Sequence, residues 1–128
     1  MRSTIKQFFV GLFACSSLIA AAIVNAGEVS VLGVDVEPLG EQQYRISVTL
    51  SHDDTGWDHY ANAWLVFNED GKKIGERILH HPHVNEQPFT RSTILTIPES
   101  VKLITIQGQD SQHALGGKMM VVELPPSP

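Results

Sequence analysis

The sequence predicts an all-β domain, an immunoglobulin-like antiparallel β-sandwich of about seven strands, preceded by a cleavable signal peptide. Three observations carry that expectation. Between residues 27 and 124 the chain is a series of short apolar runs rich in β-branched residues, separated by turn signals, and no window shows a helical repeat. Trp64 lies in the third run, where such sandwiches keep a core tryptophan. The first 26 residues follow a different grammar: Arg2 and Lys6, an apolar run over 8–24, then Val24-Asn25-Ala26 as a peptidase site.

The expected strands follow in order. The first covers 28–37, with a bulge at Gly33 where the alternation slips, and Pro38-Leu39-Gly40 turns it. The second, 43–51, alternates cleanly: Tyr44, Ile46, Val48 and Leu50 on one face, Arg45, Ser47, Thr49 and Ser51 on the other. The third, 61–68, is apolar on both faces through Trp64, Leu65, Val66 and Phe67, as a central strand would be. Asn68-Glu69-Asp70-Gly71 is a hairpin turn leading into a fourth strand at 73–80. A fifth at 89–97 ends at Pro98-Glu99-Ser100; the sixth is 101–109 and the seventh 118–124. Residues 125–128, Pro-Pro-Ser-Pro, form an irregular tail.

Cleavage after Ala26 makes Gly27 the mature terminus and places the domain outside the cytoplasm, periplasmic or extracellular, with no stable membrane span. Two alternatives compete: retention of the apolar run as an anchor, and lipidation of Cys15, since Leu12-Phe13-Ala14-Cys15 loosely resembles a lipoprotein box. Cys15 is the single cysteine, so the mature domain has none. That excludes a disulfide, a thiol nucleophile, a zinc–thiolate site and a blue-copper site. Loss of Arg2 and Lys6 leaves 14 acidic against seven basic side chains. This balance argues against nucleic acid as a partner and for cations.

If the strands run alternately up and down, the connections at 38–42, 68–72 and 98–100 share a lower pole, and those at 52–60, 81–88 and 110–117 an upper one. All six histidines, His52, His59, His80, His81, His83 and His113, fall in or beside the second set, with Asp53, Asp54, Asp58, Glu86 and Asp110. Long loops on a rigid sandwich are where binding residues gather. The best local constellation is His81-Pro82-His83, because residues i and i+2 of an extended chain point to one side and proline limits the freedom lost on binding. His81 and His83 therefore lead the candidate ligands, followed by His59, His113 and His52, with Asp58, Asp110, Glu86 and Asp54 as secondary candidates. Imidazole and carboxylate without thiolate suit copper or zinc, and iron less well. A weaker calcium signal lies in 53–58, which lacks EF-hand spacing.

Other readings use the same residues. The aspartates cap turns and Glu86 pairs with Arg91, leaving the loops purely structural. Trp57 and Tyr60 stack on a sugar or a protein partner, making the domain a recognition module. Histidines gathered at one pole charge together near pH 6 and switch an interface. Catalysis is the least favoured, since neither Gly-x-Ser-x-Gly nor His-Glu-x-x-His occurs. A copper site built on a terminal histidine is not expected either, because the terminus is Gly27.

The loops His52-Asp53-Asp54-Thr55-Gly56-Trp57-Asp58-His59-Tyr60-Ala61, His81-Pro82-His83-Val84-Asn85-Glu86-Gln87-Pro88-Phe89-Thr90-Arg91 and Asp110-Ser111-Gln112-His113, with Gly116-Gly117, resemble those of a group of small exported bacterial proteins of unknown function. The resemblance covers most of the mature chain. It implies no activity, because none is established for that group, and it assigns no residue a role.

Overall fold

A computed structural model describes residues 27–127. The expected leader at 1–26, with Cys15 and its lipoprotein alternative, lies outside the described residues, as does Pro128. Among the described residues there is no helix. The strands are β1 (Ser30–Gly40), β2 (Gln43–Ser51), β3 (Ala61–Phe67), β4 (Lys73–Ile78), β5 (Phe89–Thr96), β6 (Leu103–Asp110), β7 (Ala114–Leu115) and β8 (Met120–Glu123). One sheet runs β1-β2-β5 and the other β4-β3-β6, with β7 and β8 both paired to the far edge of β6. Every pairing is antiparallel, and the architecture is the immunoglobulin-like sandwich expected.

Local chemistry explains most of the boundaries. The register slips between Val31 and Gly33, where the alternation does. Asn68 closes the β3–β4 turn by accepting the N–H groups of Asp70 and Lys72 on its side-chain oxygen, and Gly71 takes a positive φ of 76°. Before β6 Val101 donates its N–H to the Pro98 carbonyl in a turn, and the carboxylate of Glu69 takes the N–H groups of Lys102 and Leu103, so strand pairing begins at Leu103 and not at 101. One strand beyond the seven that the sequence predicts, β7, is two residues long. Ala114, at φ 55°, turns the chain back so that Ala114 and Leu115 pair with Asp110 and Gln109.

The alternation seen in β2 is the core. Tyr44, Ile46, Val48 and Leu50 all face inward, opposite Trp64 and Val66 of β3 and Ile104 and Ile106 of β6. The same parity carries two polar residues inward at the upper end. His52 follows Leu50 by two, and Asp110 follows Ile106 by four; both are buried. They come from opposite sheets and meet across the top of the core.

The amino-terminal segment closes that end. Val29 is buried and Val31 donates its N–H to the carbonyl of Lys118. A Cβ on Gly108 would stand 2.3 Å from Val29 Cγ1, and one on Gly117 would stand 1.9 Å from the Val29 carbonyl oxygen. Gly117 also donates its N–H to Glu28. Residues 27–31 thus lie in a notch that only missing side chains can provide, and the notch delivers Gly27 to the upper pole.

Leu50→Ala removes a fully buried side chain and is expected to lower unfolding free energy by about 2–5 kcal/mol in urea denaturation, because a core cavity replaces it. Ile94→Ala, on an exposed position of β5, is expected to change it by no more than about 0.5 kcal/mol. Equal losses at the two sites would contradict this assignment of the inner face.

Candidate metal centre

Asp54 organises the upper pole. Its carboxylate accepts the N–H of Ala61 on Oδ1 (3.0 Å) and the N–H of His83 on Oδ2 (2.7 Å), and Oδ1 also takes Nδ1–H of His52 in a very close contact. These donors belong to three separate segments, so one side chain fixes the end of β2, the start of β3 and the loop before β5. Gln87 adds a second tie, accepting the N–H of His52 and donating to the His83 carbonyl.

The bond to Asp54 sets the tautomer of His52. A carboxylate that accepts on both oxygens requires Nδ1 to carry the proton, which leaves a lone pair on Nε2. Nε2 faces the Gly27 carbonyl oxygen at 3.0 Å and Asp110 Oδ2 at 3.3 Å, and both of these are acceptors. A lone pair against two oxygens is repulsive unless a second proton or a cation stands between them.

Asp110 supplies the negative charge of this cluster. Its Oδ1 takes the N–H groups of Gln112 and His113, and its Oδ2 takes Nδ1–H of His113 at 2.9 Å. Burial alone would raise this carboxyl, but the backbone and side-chain bonds from His113, with Gln112 and His59, hold it down at about 2. His59 arrives from a small turn in which Thr55 N–H bonds to its carbonyl and its own N–H bonds to that of Gly56. Gly56 sits at φ 144°, open to glycine and strained for other residues. His59 Nε2 then lies 3.1 Å from the Gly27 oxygen and 3.4 Å from Asp110 Oδ2.

Four donor atoms therefore converge: His52 Nε2, His59 Nε2, Asp110 Oδ2 and Gly27 O, with separations of 3.0, 3.1, 3.3 and 3.4 Å between neighbours. Ligands bound at 2.0–2.1 Å around one zinc ion stand about 3.3–3.4 Å apart in a tetrahedron, and four of the six pairs in this quartet lie near that value. The three side-chain donors lie within 4.8 Å of one another.

The other expected site residues fall outside this quartet. His113 orients Asp110 through Nδ1 and packs its ring 5.0 Å from that of His59. His81 and His83 do stand side by side, with ring centroids 4.7 Å apart, as their spacing implies. His83 is nonetheless engaged elsewhere: its ring stacks on Phe89 at 4.0 Å, and Nε2 accepts from Arg91 at 3.0 Å. That bond puts the proton on Nδ1, which is buried without a partner among the described residues. Neither nitrogen then keeps a lone pair for an ion. Burial above all, and then the charges of Arg91 and His81, push the His83 pKa below its usual value of 6.5. His80, His81, Asp53, Asp58 and Glu86 are exposed, and Glu86 approaches Arg91 only to 4.0 Å. Trp57 is 68% exposed and lies edge-on to Tyr60.

The donor that sequence reasoning missed is the Gly27 carbonyl, since a main-chain oxygen leaves no mark in residue types. His52 and Asp110 did have a signal. Each continues the inward parity of its strand, so each is a polar side chain aimed at the core.

The chain is 40% identical over 96 residues to a protein of Halomicrobium mukohataei named "Putative lipoprotein". The match takes in 75% of this chain and 47% of that protein, so the chain spans about half the length of the relative it matches. No family model matches the chain, and no solved structure matches it.

Asp54→Ala strands three buried donors, and unfolding free energy is expected to fall by about 3–5 kcal/mol, more than for a typical surface aspartate. A loss under about 1 kcal/mol in urea denaturation would show that the carboxylate does not organise the pole. The lowered pKa of His83 gives a second outcome, in chelator. The unfolded chain takes up this proton first, so the stabilisation is complete above about pH 6.5 and is lost as pH falls through the lower folded value. His83→Gln, which keeps an acceptor for Arg91, is expected to flatten the stability profile below pH 6.5. An unchanged slope would contradict the shift.

Proposed function

We propose that this protein is an exported metal-binding domain. It holds a divalent transition ion, zinc or copper, between His52 Nε2, His59 Nε2, an oxygen of Asp110 and the carbonyl oxygen of Gly27. The observation that supports it best is the quartet itself: two imidazole nitrogens, a carboxylate oxygen and a carbonyl oxygen, with neighbours 3.0 to 3.4 Å apart, as ligands around one ion stand.

The surroundings are those a metal ligand requires. His52 gives its other ring N–H to Asp54, and Asp110 is held by His113, so both ligands are oriented from outside. Two imidazoles disfavour calcium, which takes oxygen donors. They rank iron behind zinc and copper only on the general softness of the set. A donor set of at least four atoms from the protein suits carriage, storage or sensing better than a reaction at the metal. His81 and His83, expected to lead the ligand set, become a structural pair in this proposal. The name of the Halomicrobium relative supports export, and among the described residues no helix is long and apolar enough to cross a membrane.

A second reading keeps the pole as a recognition surface for a glycan or protein, on the ground that Trp57 exposes an indole face beside Tyr60. Trp57→Ala would then abolish glycan retention while leaving metal content untouched.

The deciding experiment is zinc titration of the exported, chelator-stripped protein by competition with a chromophoric chelator. Binding tighter than about 1 μM, roughly −8 kcal/mol, is expected. His52→Ala with His59→Ala should weaken it about a hundredfold or more, and His81→Ala with His83→Ala should leave it unchanged. No binding tighter than about 1 mM would overturn the proposal.

A further inference from the structure

We infer that the amino group created at Gly27 by removal of residues 1–26 is itself a ligand of this centre, so that processing completes the metal site. This deepens the metal reading above and rests on it.

The carbonyl oxygen of Gly27 already sits between the two imidazoles, 3.0 Å from His52 Nε2 and 3.1 Å from His59 Nε2. The nitrogen of the same residue is joined to that oxygen through only two carbon atoms, so it lies within about 3.7 Å of it whatever the backbone angle. An amine and a carbonyl on one residue close a five-membered chelate ring on a divalent cation. The centre would then offer three nitrogens and two oxygens, a set suited to tetragonal copper(II) or to five-coordinate zinc.

The position of Gly27 is fixed by independent contacts. Glu28 accepts the N–H of Gly117, Val29 is buried, and the glycines at 108 and 117 leave space for that valine and no more. A side chain at Gly27 would displace a ring that serves the site. A Cβ there would come within 2.7 Å of His113 Cε1, and His113 is the residue that orients Asp110. Cleavage at the peptidase pattern Val24-Asn25-Ala26 exposes an amine at this residue and not at a neighbour.

Before cleavage the same nitrogen is an amide. Its lone pair is delocalised into the carbonyl of Ala26, so it is a poor donor for zinc at neutral pH. The centre of the leader-bearing chain therefore lacks one ligand. Metal loading follows export in this scheme, and an ion bound at the terminus also staples the amino-terminal segment over the open end of the core.

The test compares two full chains, each exported through its own leader. One is the parent. The other carries a single glycine inserted between Ala26 and Gly27, so that cleavage after Ala26 leaves residue 27 with an amide nitrogen. Intact mass identifies each terminus, and zinc affinity is measured by chelator competition, with urea midpoints in chelator to show that both domains fold alike. The expected result is a parent beginning at Gly27 and an insertion product that binds zinc at least about tenfold more weakly. Equal zinc affinities would overturn the inference and leave the metal reading intact. So would a zinc-binding parent that begins elsewhere or is acylated at Cys15. Absence of zinc binding in both chains would overturn the metal reading, and the inference with it. A readout independent of the insertion is copper(II) electron paramagnetic resonance of the parent grown with ¹⁵N-glycine. A changed nitrogen coupling supports a glycine nitrogen as ligand, and an unchanged spectrum speaks against it.

Discussion

The upper end of this domain depends on the carboxylate of Asp54. It is buried and accepts hydrogen bonds from His52, Ala61 and the backbone of His83. A buried carboxylate without partners would be costly, whereas one that satisfies three donors replaces water at three chain segments simultaneously. The loops at 52–60 and 81–88 are therefore held from within, by a side chain that continues the path of β2 into the core's upper rim. An apolar residue could fill the same volume but would leave those donors unpaired.

From this anchor the chemistry of the pole follows in order. Asp54 fixes the proton on Nδ1 of His52, so Nε2 presents a lone pair. Asp110, held anionic by His113 and Gln112 despite its burial, faces that lone pair from the opposite sheet. The Gly27 carbonyl adds a third acceptor and His59 a second imidazole. These oxygens and ring nitrogens stand this close only with a proton or a cation between them. A proton on a ring nitrogen serves one contact, and a divalent ion serves all four.

The fold contributes precision through what it leaves out. Gly108 and Gly117 make room for Val29, and Gly27 makes room for His113. Without these absences the amino-terminal segment could not lie across the second sheet, and the main-chain oxygen of Gly27 would not reach the histidines. Stability and site are thus linked: the strap that caps the hydrophobic core also brings the Gly27 carbonyl to the histidines. The rim outside it, where Trp57 and His81 are exposed, is free of that constraint.

The amino-acid sequence by itself determined the class of fold, most of the strands and the pole at which the histidines collect. Those properties follow from local alternation and turn chemistry: Tyr44, Ile46, Val48 and Leu50 can face one way in only one register, and Asn68 to Gly71 can do little but turn. It left the strand ends loose by one to three residues, since there local bonds such as those from Val101 to Pro98 and from Lys102 to Glu69 decide. The grouping of donors was decided by tertiary structure alone. His81 and His83 are close in sequence and in space, yet Arg91 and Phe89 claim the second ring, and no spacing rule reveals that. His52, His59, Asp110 and Gly27 lie as far as 83 residues apart and come together only because two sheets pack face to face with a strap drawn across their end. A periodic pattern reports which side of a strand a residue occupies; only packing reports what it meets there.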